Sequence, residues 1–389
     1  MDELIVRIAA RGDGVTASGR HAAFAAPGDR LLADGTVAPG PHHQAPPCRH
    51  FPECGGCQLQ HVDDAAYRDY LKSRIAGALA QHDLQTRIEA PHLSPPNSRR
   101  RATLRALKAG NSAVIGFNAA KSNRIVDLRE CHVLRPELFA LVEPLRVLLG
   151  ALLKPKRIAE IQLTLADQGP DVLINGVAPS GFEQHMRLTD FAQEQGLARL
   201  SIDSGLGPET LYEPEPATIS LSGKPVRLPP GAFLQATADG EAALVEAARV
   251  AVAGTGPVTD LFAGLGTFAL ALDAAFAAEA SRDAVAALSR AARSTKVEHR
   301  DLYRRPLDGA ELSRFGAVIL DPPRAGAAEQ VAEIARSSVG RIAYISCNPA
   351  TFARDARVLV DGGYALDWAR PVGQFRWSTH VELAAAFQR

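Results

Sequence analysis

Cys347 lies where an expected buried strand becomes an expected helix. The apolar run 342–345 precedes it, and Pro349, a residue that suits the first turn of a helix, follows it. Backbone N–H groups at a helix N-terminus favour negative charge and lower the pKa of a nearby thiol. The position therefore suits a thiolate nucleophile, although the ordinary interpretation of a lone cysteine is a buried structural residue.

The other four cysteines form a separate pattern. They are Cys48, Cys54, Cys57 and Cys131, a C-x5-C-x2-C stretch followed by a distant fourth thiol. In a cytosolic protein such clustering favours metal binding or catalysis over disulfides. Four thiolates suit a tetrahedral zinc ion or an iron–sulfur cluster, and the spacing does not distinguish the two.

A glycine-containing turn follows another expected strand. Asp260 is succeeded there by Phe262, Gly264, Gly266 and Thr267. The glycines let the backbone approach a ligand closely, and alone they also fit a dinucleotide site. A carboxylate at the strand end suits a cationic or amine-bearing ligand better than a pyrophosphate. The stretch resembles motif I of S-adenosylmethionine-dependent methyltransferases.

Acidic residues end the next expected strands. Glu279 can accept hydrogen bonds from ribose hydroxyls, and Asp301 lies where adenine contacts are usual, with a solvated loop carboxylate as the alternative. Asp321 begins an Asp-Pro-Pro-Arg loop whose prolines make it rigid beside the crevice. Arg324 follows the prolines where amine methyltransferases usually carry an aromatic residue. This difference favours a carbon atom as the methyl acceptor.

The elements that must position these residues change in type along the chain. Residues 1–40 predict a short, truncated β-unit, 41–82 together with Cys131 form the cysteine region, and 83–229 predict a β-rich central domain. Residues 230–389 alternate strands with helices, which predicts an α/β domain with a doubly wound parallel sheet. We predict hairpins over residues 101–117 and 161–174, and helices over residues 64–81 and 136–149.

Composition sets outer limits on function. The 389 residues suggest two or three domains, and the 43 basic and 43 acidic residues give no overall attraction to nucleic acid. Local basic patches, with the residues Arg99, Arg100 and Arg101 foremost, are candidates for phosphate contacts. No apolar run approaches a membrane span, and no signal peptide is evident, so we expect a cytoplasmic protein.

Together the motifs resemble a known family, the bacterial RNA 5-methyluridine methyltransferases that carry an iron–sulfur cluster. These enzymes act mainly on 23S ribosomal RNA and have tRNA-modifying relatives. The matching residues are Cys48, Cys54, Cys57, Gln60 and His61; Cys131 and His132; Phe233 to Gln235; Asp260 to Gly266; Leu320 to Arg324; Ser346 to Pro349; and His380 to Glu382.

The resemblance implies a fold and an activity. The fold is a C-terminal class I (Rossmann-like) S-adenosylmethionine methyltransferase domain, a β-rich central domain and a truncated, barrel-like RNA-binding unit. The activity is methylation of uridine C5 in RNA, most often ribosomal RNA, through a covalent bond between a cysteine and C6. We expect a monomer with no membrane partner.

The resemblance also implies roles for individual residues. Cys347 is the nucleophile and Glu382 the general base. Gln235 contacts the cofactor, Asp321 contacts the cofactor or the uracil edge, and Thr267 stands where the family often has Asn. Phe262 packs on the adenosyl group or in the core. A 4Fe–4S cluster is implied on the four clustered cysteines.

Three alternatives stay open. The first is a methyltransferase that acts on a tRNA uridine. The second is a non-catalytic iron–sulfur RNA-binding protein with a relic cofactor domain. The third is an NAD-linked redox enzyme that uses the cluster. Intact Asp260, Asp321, Cys347 and Glu382 argue against a relic cofactor domain. Asp260 and the Asp-Pro-Pro-Arg loop argue against NAD as the cofactor. Phe375 and Trp377 are candidates for stacking on RNA bases, with core packing as the other interpretation.

Overall fold

The computed structural model describes residues 2–389. The helices are α1 (Asp64–Ala80), α2 (Pro136–Phe139), α3 (Val142–Leu152), α4 (Gly181–Glu194), α5 (Ala238–Ala251), α6 (Thr267–Ala271), α7 (Arg282–Ala291), α8 (Gly309–Leu312), α9 (Ala328–Arg336) and α10 (Pro349–Asp361). None of these helices is long and apolar enough to cross a membrane, a finding that covers residues 2–389.

The strands are shorter on average than the helices. They are β1 (Glu3–Ile8), β2 (Gly14–Thr16), β3 (His21–Ala22), β4 (Arg30–Leu31), β5 (Val37–Ala38), β6 (Arg87–Ile88), β7 (His92–Leu93), β8 (Arg101–Ala109), β9 (Ser112–Gly116), β10 (Ile158–Ala166), β11 (Gly169–Asn175), β12 (Arg199–Asp203), β13 (Pro208–Tyr212), β14 (Thr218–Leu221), β15 (Lys224–Arg227), β16 (Val258–Leu261), β17 (Phe276–Glu279), β18 (Lys296–His299), β19 (Ala317–Leu320), β20 (Arg341–Ser346), β21 (Ala365–Gly373) and β22 (Glu382–Gln388).

The chain forms two compact units. The first contains residues up to Tyr67, Pro95–Thr218 and Phe375–Thr379, and the second contains Arg68–Ser94, Ile219–Gln374 and His380–Arg389. The division of the chain into four segments stays a prediction.

The first unit carries two sheets. The N-terminal sheet has the order β3-β2-β1-β4-β5 and a small core of Ile5, Ala22, Ala25 and Leu31. The other has the order β13-β12-β11-β10-β8-β9, and both predicted hairpins occur in it, as the antiparallel pairs β8–β9 and β10–β11. Its apolar core includes buried leucines of α3, such as Leu145 and Leu149.

Two helical features of this unit differ from the sequence prediction. The predicted helix 136–149 is two helices, α2 and α3, separated at residues 140–141. The second difference is α4, which the sequence did not predict. Phe182 and Met186 on this helix are exposed, while Leu188 and Phe191 are buried, so its apolar residues do not form the single stripe by which sequence patterns predict helices.

The second unit contains the predicted doubly wound sheet. Its order is β18-β17-β16-β19-β20-β22-β21-β6, with β7 also paired to β21. The strands from β18 to β20 are parallel, and β22 runs antiparallel between β20 and β21. Helix α5 packs its Leu244, Ala247 and Ala248 into the core under this sheet. The predicted α/β fold class is confirmed.

Candidate active site

The candidate site lies at the carboxyl ends of the parallel strands. Asp260 is in β16, Glu279 ends β17, Asp321 directly follows β19, and Cys347 directly follows β20. Carboxyl ends of neighbouring parallel strands meet at one edge of a sheet, which is where open α/β sheets bind ligands. The fold therefore brings these four side chains, which are distant in sequence, to one edge.

The glycine loop after β16 is held by two carboxyl groups. Glu279 Oε2 accepts a hydrogen bond from the Gly264 N–H at 2.9 Å, and Asp260 Oδ2 accepts one from the Ala269 N–H of α6 at 2.8 Å. Gly266 has a φ of +93°, and a Cβ there would lie 2.3 Å from a methyl carbon of Leu288. A side chain at this position would therefore push the loop away from α7.

Asp260 is a buried carboxyl group with one unused oxygen. Its side chain is fully buried, and Oδ1 has no hydrogen-bond partner in the part of the chain that the structure describes. Burial raises its pKa well above the usual range, and the charge of Asp321 adds to the effect. An unpaired oxygen of this kind fits a ligand that brings a hydrogen-bond donor or a positive charge.

Phe262 and Asp301 are joined by a residue that the sequence interpretation missed. The Phe262 ring packs against Tyr303 with 5.5 Å between ring centroids. Asp301 Oδ1 accepts the Tyr303 N–H at 3.0 Å, and the Tyr303 hydroxyl donates to the Gly326 carbonyl at 2.9 Å. Tyr303 thus connects the loop after β18 with the Asp-Pro-Pro-Arg loop.

Helix α10 holds the Asp-Pro-Pro-Arg loop from its other side. The Asn348 amide and the Thr351 hydroxyl both donate to the Arg324 carbonyl, at 3.0 and 3.2 Å. The buried Asp355 carboxylate accepts the Ala327 N–H at 2.8 Å and the Tyr344 hydroxyl at 2.6 Å. The residue that follows Cys347 therefore helps to fix the loop that carries Asp321.

Cys347 has a raised pKa, although it lies beside a helix N-terminus, which by itself favours a thiolate. Burial, and then the charges of Glu382 and Asp321, raise the pKa of Cys347 to about 11. The helix N-terminus beside Cys347 therefore does not bring the pKa of its thiol below the ordinary value. The effect of the helix is outweighed because burial and two carboxylates both disfavour a thiolate.

Glu382 and Asp321 are themselves coupled. Burial, then the charge of Asp321, raises the pKa of Glu382 to about 8, while burial raises the pKa of Asp321 to about 7. Glu382 begins β22, which lies between β20 and β21 in the sheet, and it is buried, so it is not a surface carboxylate. Perturbed carboxyl groups beside a cysteine in a cleft are typical of a catalytic site.

The four clustered cysteines are all unpaired and line one cavity in the first unit. The cavity measures about 360 Å³ including its open mouth, and Phe117 and His132 also line it. Burial raises the pKa of each of these thiols. No group of three or more His, Cys, Asp or Glu side chains within residues 2–389 has the geometry to hold a metal ion.

The predicted basic and aromatic RNA contacts are only partly available. Arg100 is buried, and the Arg99 guanidinium lies over the Phe375 ring, 5.3 Å from its centroid. Trp377 is buried, in agreement with the core-packing interpretation of this residue. Phosphate contacts by Arg99 and Arg100 would therefore need these side chains to move.

The parallel sheet, its glycine loop and its acidic strand ends define a class I methyltransferase. Comparisons with known proteins agree. Residues 285–389 match the family model described as tRNA (Uracil-5-)-methyltransferase. An uncharacterized RNA methyltransferase of Zymomonas mobilis is 49% identical, with 99% of each chain covered. A 23S rRNA (uracil(1939)-C(5))-methyltransferase of Aeromonas hydrophila is 32% identical, covering 91% of this chain and 84% of that protein.

A solved structure gives the same result for the fold. The tRNA (uracil-54, C5)-methyltransferase of Pyrococcus abyssi, in complex with S-adenosyl-L-homocysteine, aligns over 100% of both chains with a TM-score of 0.73 and 23% identity. The chain belongs to the RNA uracil-C5 methyltransferase family. The resemblance seen in the sequence motifs is confirmed.

Proposed function

We propose that this protein transfers a methyl group from S-adenosylmethionine to C5 of a uridine in 23S ribosomal RNA. The observation that carries the proposal is the grouping of Cys347, Glu382 and Asp321. The two acidic residues lie close enough to raise the pKa of Cys347, and Asp321 raises that of Glu382. Membership of the family supports uracil C5 as the target. The relative that is 32% identical, and is named for 23S rRNA, supports ribosomal RNA over tRNA.

Cys347 and Glu382 divide the chemistry between them. The Cys347 sulfur, as the thiolate, bonds to uracil C6; the C5–C6 double bond opens and its electron pair moves toward C5. When bound, S-adenosylmethionine would supply the methyl group on its sulfonium to C5 and would leave as S-adenosylhomocysteine. Glu382 then removes the C5 proton, the C5–C6 double bond re-forms, and the bond between C6 and the sulfur breaks to release the Cys347 thiolate.

The cofactor is assigned to the loops at the carboxyl ends of β16 to β19. Asp260 fits it best on structural grounds, because its unpaired Oδ1 is a buried acceptor. Gly264 and Gly266 allow close approach of the backbone, and Glu279 and Asp301 offer carboxylates for hydroxyl and amine donors. The remaining residues assigned to this site are Phe262, Thr267, Gln235 and Asp321.

The uridine must leave its stack to reach Cys347. The thiol is only partly exposed, and a stacked base cannot present C6 to it. The proposal therefore includes flipping of the target base into the site. A tRNA uridine is the second candidate substrate.

A 4Fe–4S cluster is assigned to Cys48, Cys54, Cys57 and Cys131. Soft thiolates around one cavity are the donor set that such clusters take. A single zinc ion would draw its ligands to one point, at about 2.3 Å from each sulfur. The spacing of the cysteines does not distinguish zinc from a cluster, and the resemblance of the motifs to the iron–sulfur methyltransferases favours the cluster.

The function is tested by finding the modified nucleoside. Ribosomal RNA and tRNA from a strain lacking this protein are incubated with the purified enzyme and S-adenosylmethionine, and 5-methyluridine is measured by mass spectrometry. We expect it to appear in 23S rRNA with wild-type protein and not with Cys347→Ala. Formation only in tRNA would support the second candidate, and formation in neither RNA would contradict both.

A further inference from the structure

Gln374 is a buried polar residue to which the proposed mechanism assigns no role. It directly follows β21, its side chain is only 2% exposed, and it lies against the start of α5. Its Oε1 accepts the backbone N–H of Ala236 at 2.8 Å. A backbone N–H can only donate, so this contact fixes which end of the Gln374 amide is the oxygen.

The orientation of Gln374 sets the direction of further hydrogen bonds. Its Nε2 donates to Oε1 of Gln235 at 2.8 Å, which in turn fixes the amide of Gln235. Nε2 of Gln235 then donates to Oδ2 of Asp321 at 3.2 Å. One backbone N–H, that of Ala236, therefore orients a line of donors that ends on a carboxyl group of the site.

Gln374 also lies near Glu382, because it is two residues beyond Val372, which pairs with Glu382 across β21 and β22. The Gln374 side chain lowers the pKa of that carboxyl group against the effect of burial. Because its oxygen is already used by Ala236, Gln374 can offer Glu382 only an N–H. A carboxylate accepts such a bond in its ionised form, which is the form a general base requires. An N–H donor in this place therefore favours the charged form of Glu382.

The packing around Gln374 leaves it little room. A Cβ at Gly240 of α5 would lie 2.8 Å from the Gln374 Cβ and 2.7 Å from the Thr237 hydroxyl oxygen. Glycine within a helix costs about 1 kcal/mol relative to alanine, yet here it permits the side chain of Gln374 to lie directly on the helix. The position of Gln374 is thus fixed by contacts on both its stem and its amide.

We propose that Gln374 is the positioning residue for the general base Glu382. This inference rests on the proposed function, since Glu382 is a base only if a C5 proton is removed. Gln374 acts on the last chemical step, and it has no part in the bonding of Cys347 to C6. The groups that face Glu382 are Asp321, Cys347 and Gln374, and Arg324 reaches the same thiol.

The test uses Gln374→Met, which keeps the length of the side chain and removes every hydrogen bond. The matched control is Gln330→Met. Gln330 is also fully buried and makes two hydrogen bonds, but both go to the backbone of Leu307. The assays are turnover on uridine-containing RNA, the covalent complex on the same RNA, and the covalent complex on 5-fluorouridine RNA.

We expect turnover by Gln374→Met to fall about 10- to 100-fold, as when a reacting group is misplaced, and the KM for RNA to fall with it because the covalent intermediate accumulates. The covalent complex should accumulate on uridine RNA, because methyl transfer proceeds and proton removal stalls. It should form on 5-fluorouridine RNA as fast as with wild type. The pH at which turnover reaches half its maximum should move upward, because loss of an N–H donor raises the pKa of Glu382.

Two outcomes would overturn the role of Gln374. One is unchanged turnover. The other is formation of the covalent complex on 5-fluorouridine RNA that is slowed by the same factor as turnover, because the defect would then lie before proton removal. A variant that fails to fold is replaced by Gly240→Ala, which displaces Gln374 without altering its chemistry. Failure of the proposed function itself is distinct, because wild type would then form no complex with 5-fluorouridine RNA.

Discussion

At the scale of single residues, the site is a set of ionisable groups held in their neutral forms. The thiol of Cys347, with a pKa raised to about 11, keeps its proton at neutral pH. Glu382, with a pKa raised to about 8, is largely protonated there too. A cation placed beside these groups lowers both pKa values. The sulfonium of the proposed methyl donor is such a cation, so its binding would prepare the nucleophile and the base together.

The raised pKa of Glu382 makes stability depend on pH. A carboxyl group whose folded pKa exceeds its unfolded value of 4.5 contributes stability below pH 4.5 and loses it as pH rises to about 8. The Glu382→Gln variant has no carboxyl group to ionise at this position, so it does not lose this stability as pH rises. We expect its free energy of unfolding to exceed that of wild type at pH 8 by on the order of a few kcal/mol, and to match it near pH 4.5.

Urea unfolding at the two pH values measures this difference. The control is Glu329→Gln, a change at an exposed position of α9 that should have little effect at either pH. A Glu382→Gln variant that is less stable than wild type at pH 8 would refute the raised pKa.

At the scale of elements, local patterns predicted those parts of the site that depend on neighbours in sequence. The glycine loop follows a strand and opens a helix as expected, and Cys347 lies between a strand and a helix as expected. Gln374 and Tyr303 were missed because their partners are distant. Gln374 contacts a backbone 138 residues away, and Tyr303 contacts one 23 residues away. No local pattern carries such pairings.

The two glycines of the cofactor loop offer a matched comparison. Both have positive φ, so alanine at either costs about 1–2 kcal/mol. Only at Gly266 would the new methyl group meet Leu288, which adds about 1–3 kcal/mol. We expect Gly266→Ala to lower the urea midpoint clearly more than Gly264→Ala, whose Cβ position is open. Equal effects of the two changes would contradict the packing of this loop against α7.

At the scale of the whole molecule, the proposed cluster would join parts of the chain that are far apart in sequence. Cys57 and Cys131 both line one cavity, although Cys131 lies 74 positions after Cys57 in the sequence (131 − 57 = 74). Closing a long loop through a metal group restricts the unfolded chain and so stabilises the folded one. This role needs no redox step in the methylation.

Removing one ligand tests that role. Purified without oxygen, Cys54→Ser should contain less iron and labile sulfide than wild type and should unfold at a lower temperature. Cys347→Ser changes the cysteine outside the cavity, so this variant should keep the iron and labile sulfide contents of wild type. Wild-type protein that contains zinc and neither iron nor sulfide would contradict the assignment of a cluster.

The central claim is that Cys347 forms a covalent bond with uracil C6. RNA with 5-fluorouridine at the target position tests it most directly, because fluorine cannot leave as a proton does and the adduct persists. With S-adenosylmethionine, we predict a covalent complex that survives denaturing electrophoresis and whose mass assigns the RNA to the Cys347 peptide. Absence of the complex with wild type, or an undiminished complex with Cys347→Ala, would contradict the account.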